Sequence, residues 1–200
     1  MIDYRLRLDD EQPQIQPATC VLHNENHIAF HCDVTDERGL DLMIALREVD
    51  VMLQNERRQR ELPADFPYVP ILLHIKSNGG DLSTAFAIVD EIKRCASPVH
   101  TIVEGIAASA GTLISIAGTQ RIIRPNAVMM IHEFSAGMWG RYRDMQDSMV
   151  LFDATQSQLI DFYKHHSNQS KAAIKKMLDH DTWLIPEKAL EFGLVDVIEA

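Results

Sequence analysis

Cysteine is scarce in this sequence: Cys20, Cys32 and Cys95 are the three in 200 residues. The count is odd and no C-x-x-C pair exists. A reducing compartment with free, mostly buried thiols is therefore expected. No apolar run approaches the roughly 20 residues that cross a bilayer. The opening MIDYRLRLDDEQPQIQP is polar and has no apolar core of a secretion signal. Both features lead to the expectation of a cytoplasmic protein with no membrane partner. Positive charge is also in deficit: 19 Lys and Arg face 29 Asp and Glu, a formal net charge of -10. That disfavours nucleic acid as a partner. The basic run ERRQRE, Glu56 to Glu61, is short and mixed in sign, as a solvated helix end would be. His165 and His166 adjoin, but no cysteine or carboxylate stands near them at ligand spacing. No metal site and no cofactor are expected, and the sequence has no internal repeat or low-complexity tract.

What is present is an ordinary globular composition, 46% hydrophobic and 24% charged. A polar segment over 1–26 is expected to precede one domain over 27–200. HIAFHCDV (His27 to Val34) has strand composition. The segment from Glu37 to Glu61 carries Leu40, Met43, Ile44, Val51 and Leu53 at helical spacing. LPADFPYVP, with three prolines, is a connection. ILLHIK (Ile71 to Lys76) predicts a buried strand, LSTAFAIVDEIKRCA a helix, VHTIV (Val99 to Val103) a strand, and SAGTLISIAG a helix closed by glycine. QRIIR and AVMMI predict two more strands. Helical patterns cover roughly Tyr142 to His166 and the segment SKAAIKKMLDH. Strands alternating with helices predict an α/β fold with parallel pairing.

Such sheets place their sites beyond the carboxyl ends of the strands. Three chemically suggestive groups fall there: SNGGD after one strand, AASAG after the next, and His132 after AVMMI. In EGIAASAGTLIS, Ser109 is surrounded by the smallest side chains. Two readings stand on the residues alone: a tightly packed turn, or a hydroxyl that another molecule must approach closely. A serine nucleophile needs a base in hydrogen-bond reach, a third group holding that base, and backbone N–H donors aimed at the developing oxyanion. A strand-to-helix turn offers Ala110 N–H at a positive helix terminus. The Gly-Gly of SNGGD offers backbone that other residues cannot shape. The G-x-S-x-G elbow is not met, because position 107 is alanine. SNGGDLS is not a phosphate loop, because it lacks the lysine arrangement.

Four segments in order resemble the ClpP family of serine peptidases. IKSNGGDLSTAFAIVDEIK resembles that family's strand, Ser-Pro-Gly-Gly turn and helix. GIAASAG resembles its nucleophile turn, RPNAVMMIHEF its Met-Ile-His segment, and HDTWLIPEKALEFGLVDVI its closing segment. They span Ile71 to Ile198. The resemblance implies a ClpP/crotonase-like fold of repeated β-β-α units with a protruding handle helix over Tyr142 to His166. It implies Ser109 as nucleophile, His132 as general base and acid, and Asp181 as the acid that orients the histidine. Asp179, two residues away, is the competing partner for His132. The backbone N–H groups of Gly80 and Ala110 match the oxyanion hole. SAGMWGRYR resembles the segment on which the family binds extended substrate by strand addition.

The implied activity is ATP-dependent-type endopeptidase cleavage of unfolded polypeptides inside a ring-shaped chamber. Homo-oligomeric heptameric rings, stacked in pairs as a tetradecamer, and an AAA+ unfoldase are the implied partners. Asn78 stands where proline is usual, and Asp81 follows the second glycine where an apolar residue is usual. Asp81 is expected to point away from the oxyanion position. The alternatives are a non-catalytic ring subunit, a viral capsid-maturation-type peptidase and a crotonase-like acyl-CoA enzyme. An intact Ser109, His132 and Asp181 disfavour the first and the last of these.

Overall fold

The computed structural model describes residues 21–199. Residues 1–20, most of the polar segment expected over 1–26, lie outside them. An eight-stranded sheet organises the described chain. Its strands are β1 (Val21–Asn24), β2 (His27–Phe30), β3 (Ile71–Ser77), β4 (Val99–Ala108), β5 (Gln120–Ile123), β6 (Val128–Ile131), β7 (Thr182–Leu184) and β8 (Val197–Ile198). Pairing is parallel except for the β1–β2 hairpin and the β6–β7 pair. The sheet therefore starts before residue 27, because Val21–Asn24 pairs antiparallel with His27–Phe30 through a two-residue turn.

The sheet has two limbs that divide at β4. The first half of β4 pairs with β5 from His100 to Val103, and its last residues, Ile106 to Ala108, pair with β6. A bulge separates the halves. On β3 the register passes from Ile75 to Ser77, while on β4 it passes from Val103 to Ala107. Gly105 sits in this bulge at φ 80, a left-handed backbone that glycine adopts without a Cβ clash.

The helices are α1 (Asp36–Gln59), α2 (Leu82–Arg94), α3 (Ala110–Ile116), α4 (Tyr142–His165), α5 (Lys171–Leu178) and α6 (Pro186–Glu191). α1 packs on α2, and α2 on α3. Ile71, Leu73 and Ile75 of β3 are fully buried, while Leu72, His74 and Lys76 point to the other face. This is the period-2 alternation of a strand.

The buried face of α1 shares Leu53, and Met43 in part, with the one read in the sequence and otherwise differs from it. Leu42, Ala45, Leu46, Val49 and Leu53 are buried, while Leu40, Ile44 and Val51 are exposed. Both stripes are apolar, so helical periodicity alone does not select between them. Contact with the sheet and α2 does. The long helix α4 is divided as well. Leu159, Ile160 and Tyr163 join the core, whereas Met149, Val150 and Leu151 are exposed. VHTIV is the first half of a ten-residue strand, since β6 supplies a partner to its far end.

Candidate active site

Ser109 stands where β4 ends and α3 begins. Its backbone has φ 54 and ψ -122, a region that costs a non-glycine residue on the order of 1–3 kcal/mol. The G-x-S-x-G pattern is absent, yet the chain makes the same kind of strained strand-to-helix turn. Several contacts hold it. Ser109 N–H donates to Met130 O at 2.8 Å, and Thr112 N–H donates to Ser109 O at 3.0 Å. The Thr112 hydroxyl, fully buried, lies 2.8 Å from both Ala107 O and Met130 O. Thr112 thus ties the serine turn to β6. Its position, three residues after Ser109, is the one sequence signal that could have singled it out.

Strand β6 carries His132 at its end. Because Ala108 pairs with Met130 in parallel register, Ser109, one residue on, and His132, two residues on, emerge at the same end of the sheet. His132 Nε2 lies 2.7 Å from Ser109 Oγ. Strand β7 runs antiparallel to β6 with Ile131 opposite Thr182, so the residue before Thr182 comes to rest beside the residue after Ile131. That residue is Asp181, whose Oδ1 is 3.5 Å from His132 Nδ1. With the carboxylate on Nδ1, the neutral ring carries its proton there and leaves Nε2 free to accept from the serine hydroxyl. Asp181 is 67% exposed and His132 27%. Asp179 is not placed at His132; it caps α5 and borders a different hollow with Lys171 and Lys175.

Gly79 and Gly80 press against this arrangement. Gly79 has φ 102, and a Cβ on it would stand 2.7 Å from Ser109 Cβ. Gly80 is bracketed by Val34, whose N–H donates to Gly79 O at 2.7 Å and whose carbonyl accepts from Asp81 N–H at 2.8 Å. The Ser77 hydroxyl accepts from Gly79 N–H at 3.2 Å, and Asn78 Nδ2 donates to Asp33 Oδ1 at 3.1 Å. Asp81 caps α2. Its carboxylate accepts from Thr84 N–H at 2.7 Å and from Ser83 Oγ at 2.6 Å. The Ser83 hydroxyl and the Thr84 amide hold this carboxyl below its usual range, against the effect of its burial. Its oxygens accept from the helix end, although Asp81 still borders the cleft beside Gly80.

Ser109, His132, Gly80 and Ala110 border one cleft of about 400 Å³. Leu82, Leu113, Phe134 and Leu159 give the same cleft an apolar wall. Sequence reading missed this wall, because Leu159 lies far beyond the serine in the chain and reaches the cleft only through the packing of α4. Phe134 meets Phe152 of α4 edge-on, with centroids 5.9 Å apart. The segment from 133 to 140 contains no strand, and Trp139 within it is fully exposed. Among the described residues no group of metal-ligating side chains is assembled, and no helix is long and apolar enough to cross a membrane.

Known proteins resemble the chain over this same region. The sequence pattern of the Clp protease family matches residues 60–200. The chain is 38% identical over 136 residues to the ATP-dependent Clp protease proteolytic subunit 1 of Protochlamydia amoebophila (strain UWE25), covering 66% of this chain and 66% of that protein. It is likewise 38% identical over 136 residues to the protein of the same name from Chlamydia muridarum (strain MoPn / Nigg), covering 71% of it. Over 141 residues it is 34% identical to that of Chlamydia caviae, covering 74%.

Proposed function

The chain belongs to the Clp protease family of serine peptidases, and we propose that Ser109, His132 and Asp181 are its catalytic triad. The observation that carries this is the 2.7 Å contact between Ser109 Oγ and His132 Nε2, with Asp181 on the other ring nitrogen. A serine hydroxyl is a weak nucleophile until a base takes its proton. In the proposed cycle His132 accepts that proton as Oγ attacks a peptide carbonyl. Asp181 stabilises the imidazolium that forms, and the N–H groups of Gly80 and Ala110 receive the oxyanion. His132 then gives the proton to the leaving amine. Water, deprotonated by the same ring, cleaves the acyl-enzyme and restores Ser109. No cofactor enters these steps.

The apolar wall suits an unbranched or aromatic apolar side chain at the residue whose carbonyl is attacked. The substrates are polypeptides in extended form, laid along the segment from 133 to 140. The relatives' name, ATP-dependent proteolytic subunit, favours work beside an AAA+ unfoldase. Assembly into heptameric rings, paired through the exposed half of α4, accounts for Met149, Val150 and Leu151 standing in water in the single chain. A cytoplasmic location belongs to the same reading.

A fluorophosphonate probe with peptide mapping tests the chemistry. Labelling at Ser109 that is lost in Ser109→Ala and His132→Ala supports the triad. Absence of labelling in the folded, assembled protein overturns it and favours a non-catalytic ring subunit.

A further inference from the structure

Away from the cleft, one carboxylate gathers side chains from across the sheet. Glu104, in the β4 bulge, has His74 Nδ1 of β3 at 2.8 Å. His31 Nε2, just past β2, is 3.4 Å from its other oxygen. Arg124 Nε, just past β5, is 3.8 Å away, and the same guanidinium reaches Glu199 beyond β8 at 3.1 Å. Lys76 of β3 lays its side-chain carbons near Gly105. Finally, His27 Nδ1 of β2 lies 3.0 Å from His74 Nε2, with the two rings stacked at 17°. Burial alone would raise the Glu104 carboxyl. The His74 hydrogen bond and the charges of His74, His31 and Arg124 outweigh it and hold Glu104 below the ordinary glutamate range.

The location matters more than the number of contacts. Glu104 sits at the joint where β4 leaves β5 and takes up β6, and β4 ends at Ser109. We propose that Glu104 is a positioning residue: its clamp holds the β4 bulge and so the approach of Ser109, and the His27–His74 pair makes the clamp sensitive to acid. This rests on the serine-peptidase reading of the site.

The proton count gives the sign. With Glu104 ionised, His74 donates from Nδ1 and accepts at Nε2, so His27 donates from Nδ1. One added proton is tolerated: His74 becomes a double donor with a stronger tie to Glu104, and His27 changes tautomer to accept. A second proton leaves two N–H groups facing each other at the 3.0 Å contact, and that contact must open. The second proton therefore loosens the joint, while the neutral and singly protonated pairs keep it closed.

The test pairs two readouts between about pH 5 and pH 8: acylation of Ser109 by a fluorophosphonate with turnover of a short peptide, and hydrogen exchange of the 105–109 amides corrected for intrinsic rates. His27→Phe keeps a stacked ring and removes the nitrogen contact. In the intact protein the acid limb of turnover should be steeper than one proton, and exchange over 105–109 should rise as pH falls. His27→Phe should leave a one-proton limb and flatten the exchange. Glu104→Gln should lower kcat about tenfold at neutral pH with KM nearly unchanged, and melting curves in the same buffers separate this from lost stability. Limbs and exchange that superimpose on the unsubstituted protein in both variants would overturn the proposal. A protein whose serine never reacts, but whose 105–109 exchange responds to pH and to His27→Phe, would keep the positioning role and sink the peptidase reading. Should Glu104→Gln fail to fold, His27→Phe still decides.

Discussion

His132 and Asp181 approach to 3.5 Å through the pairing of two short strands, β6 and β7, with Ile131 opposite Thr182. The pair is looser than a short charge-assisted hydrogen bond, and the aspartate is mostly in water. Its proposed contribution is to hold the ring tautomer. Asp181→Asn is expected to lower kcat by about 10²–10⁴ with little change in KM. Asp179→Asn should leave kcat within about twofold of the unsubstituted enzyme. Steady-state kinetics on a peptide substrate check both. Equal losses in the two variants would remove Asp181 from its role.

Gly79 is where the Gly-Gly turn touches Ser109. Alanine there meets both a left-handed φ of 102 and Ser109 Cβ at 2.7 Å. Gly79→Ala is expected to cost about 1–3 kcal/mol of stability and to lower the acylation rate by about 10². Thermal melting and fluorophosphonate labelling rates measure the two effects. A folded variant with full labelling would show that the turn has room to shift.

Thr112 should matter through its hydroxyl. Thr112→Val removes the one hydroxyl proton shared between the carbonyls of Ala107 and Met130, of which Met130 O keeps the Ser109 N–H, at about 1–3 kcal/mol. Thr112→Ser keeps that donor and should recover most of the loss. If the two variants melt together, the methyl group and not the hydroxyl secures the turn.

Glu91 shows how this fold responds to acid far from the site. It is buried under Arg47, whose Nη2 donates to it at 2.6 Å, and Arg94, at 2.8 Å. The Arg47 hydrogen bond leads the lowering of its carboxyl, burial opposes it, and Arg94 adds to it. A lowered folded-state value means the unfolded chain takes up the proton first. The stabilisation is present above the ordinary glutamate range and is lost as pH falls through the lowered value. Melting temperature should drop between about pH 5 and pH 3, and Glu91→Gln should flatten part of that drop. An unchanged slope would assign the acid limb to other carboxylates.

The short-range features of the chain were legible in the residues. The apolar run of ILLHIK and the glycines of SNGGD each express a local preference that neighbours on the sheet do not need to supply. The order of Ser109, His132 and Asp181 was legible too, as a family pattern. Three things were decided only in three dimensions. The choice between two apolar stripes on α1 went to Leu42, Leu46 and Val49 because the sheet and α2 cover that side. The apolar wall of the cleft depends on Leu159, brought in by a helix whose other half is exposed. The Glu104 clamp joins residues from His27 to Glu199, and nothing in its local spacing marks it. Local sequence determines backbone preference and spacing, since those energies act between near neighbours. Which side is buried, and which distant charges meet, follows from the register of strands, a property of the folded sheet as a whole.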